Sequence, residues 1–295
     1  MGVMATGRAE HVAGTPAPHL RGLVADYVGY RYAGFPPGVH AGLPSRHLTF
    51  IVALDRPIEV GDLRDPSVPR EHFVALVGGL HTAPAAVHHD GSQHGVQVAL
   101  TPQGARALFG MPAAEIVERT VPMEAALGRL TPELVDRLHA AGTWSRRFAV
   151  LDDVLTCALA RSGPAMRAVA PEVTYAWRRL SASAGAVAIA DLAVEVGWSR
   201  RHLAERFRRE FGLPPKTLAS VVRFEHARRL LTAGGADLPS RGRPSLGAVA
   251  LAAGYADQAH MTRDWRRFAG ASPTRWLARE QFPFVQDGDT GPGAD

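Results

Sequence analysis

The chain has 295 residues, of which 46% are hydrophobic and 21% are charged, a composition typical of a folded globular protein long enough for two domains. Its single cysteine excludes an internal disulfide network and zinc sites made of paired cysteines. No apolar run is long enough to cross a bilayer and the N-terminus lacks the pattern of a secretory signal, so we expect a cytoplasmic protein without membrane contact.

The net charge of +5 is distributed unevenly along the chain. Residues 172–281 contain 17 Arg and one Lys against ten acidic residues, a net charge of +8, whereas residues 1–171 are neutral. A basic half beside a neutral half is typical of a protein in which one domain binds a polyanion such as nucleic acid.

Short strands are predicted for the first part of the chain. Residues 1–19 show no clear periodicity and are predicted to be disordered. Apolar runs bounded by Gly, Pro and Asp predict strands at 47–54, 57–60, 72–80 and 94–100. The Asp90-Gly91 pair predicts a hairpin turn, and a short helix after Thr101 is predicted to end at Gly110.

Helices are predicted for the rest of the chain. Residues 131–161 have the pattern of a helical pair, with Thr131 as the first cap and Pro132 at the first helical position. From 173 to 279 the periodicity is only helical, and residues 282–295 are predicted to be loose.

Three groups of residues are of types that often have a chemical role, but their spacing and sequence context do not support one here. Asp152 and Asp153 are predicted to be solvated and not catalytic, because neighbours in a helix point about 100° apart. Cys157 is predicted to be a small buried apolar residue. A set of histidines lacks a recognised ligand spacing, so we expect no metal site and no cofactor: His81, His88, His89 and His94.

The basic half contains an internal repeat, in which residues 189–215 align with residues 246–273. Each copy has a short amphipathic helix, a turn made of a glycine and an aromatic residue, and a longer helix. The longer helix is capped by Ser199 in the first copy and by Asp257 in the second. This is the arrangement of two helix-turn-helix units.

The longer helix of each copy has one apolar face and one basic face. Leu203, Phe207 and Phe211 recur at helical spacing in the first copy, and arginines lie at matching angles on the opposite side of both copies. A single amphipathic helix with a charged outer face is common in proteins of any function, but two capped copies in tandem indicate DNA binding. Arginine can donate two hydrogen bonds to guanine, and neighbouring arginines can neutralise phosphates.

Residues 173–279 resemble the DNA-binding domain of the AraC/XylS family of bacterial transcription regulators. The matching residues are Ile189 to Gly197, Ser199, Leu203, Phe207, Gly212 and Pro215, then Arg223, Ala227, Leu230 and Leu231, and finally Val249, Ala250, Gly254, Tyr255, Phe268, Gly270, Ser272, Pro273 and Trp276. The resemblance implies a seven-helix domain whose central helix, roughly 214–233, holds two recognition helices in successive major grooves. Trp265 stands where the family usually has phenylalanine.

The resemblance also implies which residues contact DNA. The expected base-readout residues are Arg201, Ala204, Glu205, Gln258, Ala259, Thr262 and Arg263. The expected phosphate contacts are Ser199, Arg200, His202, Arg209, Lys216, Arg266, Arg267 and Arg275. Glu205 replaces a usually basic residue; it either accepts a bond from a cytosine amino group or pairs with Arg201 or Arg209, and we favour the ion pair.

The first half resembles, much less specifically, the sensing and dimerising half of such regulators. We therefore predict an α+β chain. A β-rich, barrel-like (cupin-like) effector-sensing domain is expected at 20–125, followed by a helical linker and dimerisation segment at 126–171. An all-α domain of two helix-turn-helix units is expected at 172–281. We expect a transcription regulator that is not an enzyme and that binds double-stranded DNA. Its other expected partners are RNA polymerase, a small-molecule effector and a second copy of the chain.

Two alternative functions remain open. The first half could respond to a protein partner, which the sequence does not separate from a small-molecule effector. A DNA-repair enzyme that carries the same DNA-binding module would need a cluster of reactive or zinc-bound cysteines, and a single cysteine disfavours it.

Overall fold

The computed structural model describes residues 7–163, 169–232 and 244–279, and it confirms the predicted α+β class. The loose segment predicted at 282–295 lies outside these ranges. Within them, strands and a few helices fill the first part of the chain, and helices alone fill the second.

The strands form two antiparallel sheets. In chain order they are β1 (Arg8–Gly14), β2 (Val24–Ala33), β3 (Gly38–Gly42), β4 (Leu48–Ala53), β5 (Ile58–Asp62), β6 (Glu71–Phe73), β7 (Ala75–Gly78), β8 (Ala85–His89), β9 (Gln93–Leu100) and β10 (Thr120–Pro122). The six-stranded sheet has the order β1-β2-β9-β4-β7-β10, and the four-stranded sheet has the order β3-β8-β5-β6.

Helices cover one face of the six-stranded sheet. They are α1 (Pro102–Phe109), α2 (Glu124–Leu127), α3 (Leu130–Ala140) and α4 (Trp144–Arg161). Phe50 of β4 and Val98 of β9 lie directly opposite each other on neighbouring strands, so their side chains point to the same face of the sheet. Both are fully buried there, in one cluster with Leu134 of α3 and Leu155 of α4. The opposite face of this sheet therefore remains available to the four-stranded sheet.

The start of the chain differs from its prediction. The predicted disorder at 1–19 is wrong for β1, which pairs along its whole length with β2. The strand β2 itself precedes the first predicted strand, although its sequence VADYVGYRYA is rich in the aromatic and β-branched residues that strands favour. The predicted hairpin at Asp90-Gly91 is also wrong, because β8 and β9 belong to different sheets and this turn joins them.

Three predictions in the helical pair are wrong as well. The helix α3 begins at Leu130, so Thr131 is not its cap but a buried residue of its first turn. Cys157 is exposed on α4, not buried. Asp152 is not simply solvated, because its carboxylate accepts hydrogen bonds from the Ala17 amide and the Tyr27 hydroxyl, both at 2.9 Å.

Seven helices form the second part of the described chain, as the resemblance implies. They are α5 (Pro171–Ala182), α6 (Ile189–Glu195), α7 (Arg200–Phe211), α8 (Pro215–Thr232), α9 (Leu246–Ala252), α10 (Gln258–Ala269) and α11 (Pro273–Arg279). The central helix α8 packs on both units. Its Val222 is buried in the cluster that contains Phe207 of α7, and its Phe224 is buried in the cluster that contains Trp265 of α10.

Both units rest against the β-rich part. In the first unit, Arg106 of α1 donates two hydrogen bonds, at 2.6 and 2.7 Å, to the carboxylate of Glu210 near the end of α7. In the second unit, Ala41 and Leu43 of the β-rich part belong to the same apolar cluster as Trp265. Charge pairing and apolar packing both hold these contacts, because the first unit also shares an apolar cluster with the β-rich part and Arg46 pairs with Glu225 of α8 at 3.3 Å.

Candidate nucleic-acid interface and ligand cavity

The turns of the two helix-turn-helix units have the same geometry. Gly197 and Gly254 have φ values of +70° and +77°, in the left-handed region that L side chains resist. The next residue, Trp198 or Tyr255, donates its backbone N–H to a carbonyl of the preceding helix at 2.9 Å in both units. The internal repeat predicted from the sequence is therefore confirmed in the backbone.

Each recognition helix begins at its predicted cap. The Ser199 side chain accepts the N–H of His202 at 3.1 Å at the start of α7, and the Asp257 side chain accepts the N–H of His260 at 2.6 Å at the start of α10. Each helix has 12 residues and ends at a glycine in the left-handed conformation. The two helices are thus held in the same way at both ends.

The recognition helices bury their apolar faces completely. Leu203, Phe207 and Phe211 in α7 and Met261 and Trp265 in α10 have no exposed surface. The polar faces consequently point away from α8, which is the orientation that DNA contact requires.

Most of the predicted DNA contacts lie on these outward faces. Among the expected base-readout residues, Ala204 and Thr262 are half-buried, and the exposed ones are Arg201, Glu205, Gln258, Ala259 and Arg263. The expected phosphate contacts are all exposed: Ser199, Arg200, His202, Arg209, Lys216, Arg266, Arg267 and Arg275. These exposures fit the two sets, whose roles in DNA contact stay predictions.

The favoured interpretation of Glu205 agrees with the structure. Its Oε1 lies 3.1 Å from the Nε of Arg201, one helical turn away. An exposed pair of this kind stabilises a helix by only a few tenths of a kcal/mol. The pair also has a geometric effect, because it occupies Nε and leaves the two terminal nitrogens of Arg201 without a contact to Glu205.

The β-rich part touches the recognition helices near their C-terminal ends. Glu210 of α7 is bound by Arg106, and the backbone carbonyl of Arg267 in α10 accepts a hydrogen bond from Arg64 at 3.4 Å. The N-terminal turns, which carry the expected base-readout residues, are therefore left on the outside of the molecule.

Substitution of Gly254 by valine is expected to disable the second unit alone. A Cβ at this position has room, with its nearest neighbour, the Cβ of Ala186, at 3.7 Å, so the penalty of about 1–2 kcal/mol comes from the positive φ. A footprint of Gly254→Val on its DNA site should lose its second half. Gly197→Val is the matched variant and should lose the first half; loss of the same half by both variants would contradict the assignment of the turns.

A cavity of about 120 Å³ lies between the two sheets. The six-stranded sheet lines it with the cross-strand row Thr120, Gly78 and Thr49 and with the row Leu76, Ile51 and Gln97. The four-stranded sheet lines it with His40, Val87 and Val60, which form a third row. The cavity therefore occupies the interior of the β-rich part.

Sequence reasoning missed most of this lining. Tyr30 and Tyr32 of β2 and His40 of β3 belong to strands that the sequence analysis did not predict. The alternation of tyrosine along β2 was the available signal, because it places both rings on one face.

The four histidines considered as metal ligands in the sequence do not point toward a common site. His81 lies 3.7 Å from Glu118 and His94 lies 3.1 Å from Asp55, whereas His88 and His89 are neighbours on β8 and point to opposite faces. No group of three or more side chains suited to a metal ion is present in residues 7–163, 169–232 and 244–279.

The chain is similar to known proteins in both of its parts. Residues 192–279 match the family described as a helix-turn-helix domain. The structure of an apo ToxT variant from Vibrio cholerae superposes with a TM-score of 0.50 at 10% identity, covering 85% of this chain and 97% of ToxT. Wild-type ToxT with a bound unsaturated fatty acid gives a TM-score of 0.47 at 9% identity, covering 94% and 97%.

An AraC-type regulator from Chromobacterium violaceum is 26% identical, with a TM-score of 0.32, and covers 39% of this chain and 96% of its own. No curated protein sequence gives a significant match. In the part of the chain that the structure describes, no helix is long and apolar enough to cross a membrane.

The family match extends over both recognition helices and the central helix between them. The likeness to apo ToxT shows that a β-rich part followed by such a helical domain is one shared fold. The C-terminal part of this chain is an AraC-type helix-turn-helix domain, the domain of a DNA-binding transcription regulator.

Proposed function

We propose that the chain regulates transcription by reading two successive major-groove segments of DNA with α7 and α10. The observation that carries this proposal is the repetition of one turn, one cap and one outward basic face in both units. We propose no enzymatic activity for it, and we place it in the cytoplasm at the chromosomal DNA. RNA polymerase and a second copy of the chain are its other proposed partners.

Within α10 we assign different roles to two arginines. Arg263 lies near the start of the helix beside the other expected base-readout residues, and it is exposed. Arg267 lies one turn further along, where its guanidinium stacks 5.1 Å from the ring centre of Phe268. A guanidinium held near the helix end is better placed for a phosphate than for a base edge.

Replacement of Arg263 by alanine is expected to weaken binding at the preferred DNA sequence by about 1–3 kcal/mol and to relax the preference at one or two base pairs. Arg267→Ala is the matched control and should weaken all sequences about equally, because a phosphate contact carries no base information. Selection of bound sequences from a random pool measures both effects. Identical sequence profiles for the two variants would contradict the division of roles.

We further propose that a small molecule in the cavity controls DNA binding. Leu43 supports this proposal, because it lines the cavity and also packs in the cluster of the second helix-turn-helix unit. A ligand that displaces Leu43 would therefore press directly on the core that holds α10. A compound that fills the cavity is expected to change the DNA affinity of the full chain, and a gel shift with and without the compound measures the change.

A further inference from the structure

The cavity between the sheets has several polar side chains in its lining, where the interior of a two-sheet structure is normally apolar. Facing sheets usually interdigitate apolar side chains and close the space between them. Here Thr49, Thr120, Gln93, Gln97 and His40 line the space. Gln97 and His40 are only 7% and 8% exposed, so these polar groups belong to the interior and not to the surface.

None of the described residues that line this cavity is Asp, Glu, Lys or Arg. Burial, together with the neighbouring His89, lowers the pKa of His40 to about 3, so its imidazole is neutral at pH 7. Burial raises the pKa of Tyr30 and Tyr32 above the usual range of a phenol, so both hydroxyls stay protonated. These three groups therefore add no formal charge to the lining at pH 7.

Charged side chains begin at the mouth of the cavity. A wider opening of about 1030 Å³ shares Tyr30, Tyr32, Ile58 and Gln93 with the inner cavity. Its charges are largely paired with one another, Arg56 with Asp90 and Arg70 with Glu59, and the Asp55 carboxylate lies 3.1 Å from the Nδ1 of His94. A ligand passes these pairs on its way in.

We propose that the inner cavity binds an uncharged small molecule that has an apolar body and at least one hydrogen-bonding group such as an amide, a ketone or a phenol. This inference rests on the proposed function, because it names the class of the proposed effector. A cavity of about 120 Å³ holds a group of about five or six heavy atoms, roughly one aromatic ring, with the remainder of a larger ligand in the mouth.

Two physical arguments select this class. An ion that leaves water without meeting an opposite charge is strongly disfavoured, and the lining that the structure describes contains no Asp, Glu, Lys or Arg. The basic side chain of His81 does line the cavity, but it lies 3.7 Å from the carboxylate of Glu118, which pairs with any positive charge on the imidazole. A purely apolar ligand is disfavoured as well, because it would displace water from the Gln93 carboxamide and from the hydroxyls of Thr49 and Thr120 without replacing the lost hydrogen bonds. A neutral molecule with a few donors or acceptors satisfies both conditions.

Three probes of nearly equal shape test the class: 2-naphthamide, which is neutral, 2-naphthoate, which is an anion, and 2-naphthamidine, which is a cation. Isothermal titration of the full chain at pH 7 is expected to give 2-naphthamide at least a tenfold tighter dissociation constant than either ion. Ala85→Phe, which fills the cavity, should abolish this binding. If Ala85→Phe does not fold, the smaller substitution Ala85→Leu replaces it as the test and should weaken the binding.

A change of charge at the mouth gives a second readout. Gln93 is half-buried at the start of β9 and borders both the inner cavity and its mouth. Gln93→Arg is expected to improve 2-naphthoate binding about tenfold relative to 2-naphthamide. Gln93→Met, which has a similar volume and no charge, should leave the neutral probe preferred.

The outcomes separate the inference from the function on which it rests. Binding of 2-naphthoate or 2-naphthamidine at least as tightly as 2-naphthamide, with sensitivity to Ala85→Phe, would overturn the uncharged class and keep the effector site. Absence of binding by all three probes, or binding that Ala85→Phe and Ala85→Leu leave unchanged, would overturn both the class and the site. Retained DNA binding in a gel shift would leave the DNA-reading role intact in either case.

Discussion

Replacement of Trp265 by alanine is expected to destabilise the second helix-turn-helix unit by about 3–5 kcal/mol. Trp265 is fully buried, and its ring lies edge-on to Phe224 of the central helix at 5.0 Å and to Trp276 of α11 at 5.8 Å between ring centres. Alanine would leave a large cavity at the point where three helices meet. Urea denaturation followed by far-ultraviolet circular dichroism measures the loss.

Trp265→Phe is the matched control and should cost no more than about 1.5 kcal/mol. The indole Nε1 is buried and makes no hydrogen bond to the described residues, so its removal offsets part of the lost packing. Equal destabilisation by alanine and phenylalanine would show that the indole nitrogen matters more than the volume, which contradicts this packing account.

Insertion of five base pairs between the two DNA segments that we propose one chain reads is expected to cost about 4 kcal/mol of binding free energy, close to the difference between specific and non-specific binding. The central helix is continuous over 18 residues and is buried in the cores of both units, so the recognition helices cannot move independently. Half a turn of DNA places the second groove on the far side of the duplex, where α10 cannot reach it.

A gel-shift series with insertions of zero, five and ten base pairs measures this effect. The site without an insertion should bind tightest, and the site with five inserted base pairs should bind like unrelated DNA. Unchanged affinity at five base pairs would mean that only one of the two units reads DNA.

The helical domain could be predicted from the sequence because its signals are local. The glycine turns, the caps Ser199 and Asp257 and the apolar stripes each occupy a few neighbouring residues, and each has one favoured geometry. Their repetition along the chain made the assignment stronger than any one of them. The ion pair of Glu205 with Arg201 was also local, since the two residues lie one turn apart.

The β-rich part was harder to predict because its structure depends on distant partners. The strand β1 is short of apolar residues and forms by pairing with β2 at the edge of the sheet. Asp90-Gly91 has the composition of a hairpin turn, but the register places its flanking strands in different sheets. Nothing within a short window distinguishes a turn between neighbours from a turn between sheets.

Contacts between residues that are far apart in the sequence could not be predicted from local patterns either. Glu210 lies near the end of an arginine-rich helix, and its partner Arg106 is 104 residues earlier in the chain. Asp152 similarly anchors Ala17, which is 135 residues away. Charge and periodicity place such residues on a helix, but only the folded chain shows what they touch.

The dependence of DNA affinity on salt tests the central claim most directly. Six of the expected phosphate contacts are cationic: Arg200, Arg209, Lys216, Arg266, Arg267 and Arg275. If each neutralises one phosphate, a plot of log affinity against log salt concentration for the full chain and duplex DNA should have a slope of about −5. Fluorescence anisotropy between 50 and 200 mM salt, roughly the range in which such slopes are resolved, gives this value. A slope near zero would contradict the account of this chain as a DNA-binding protein.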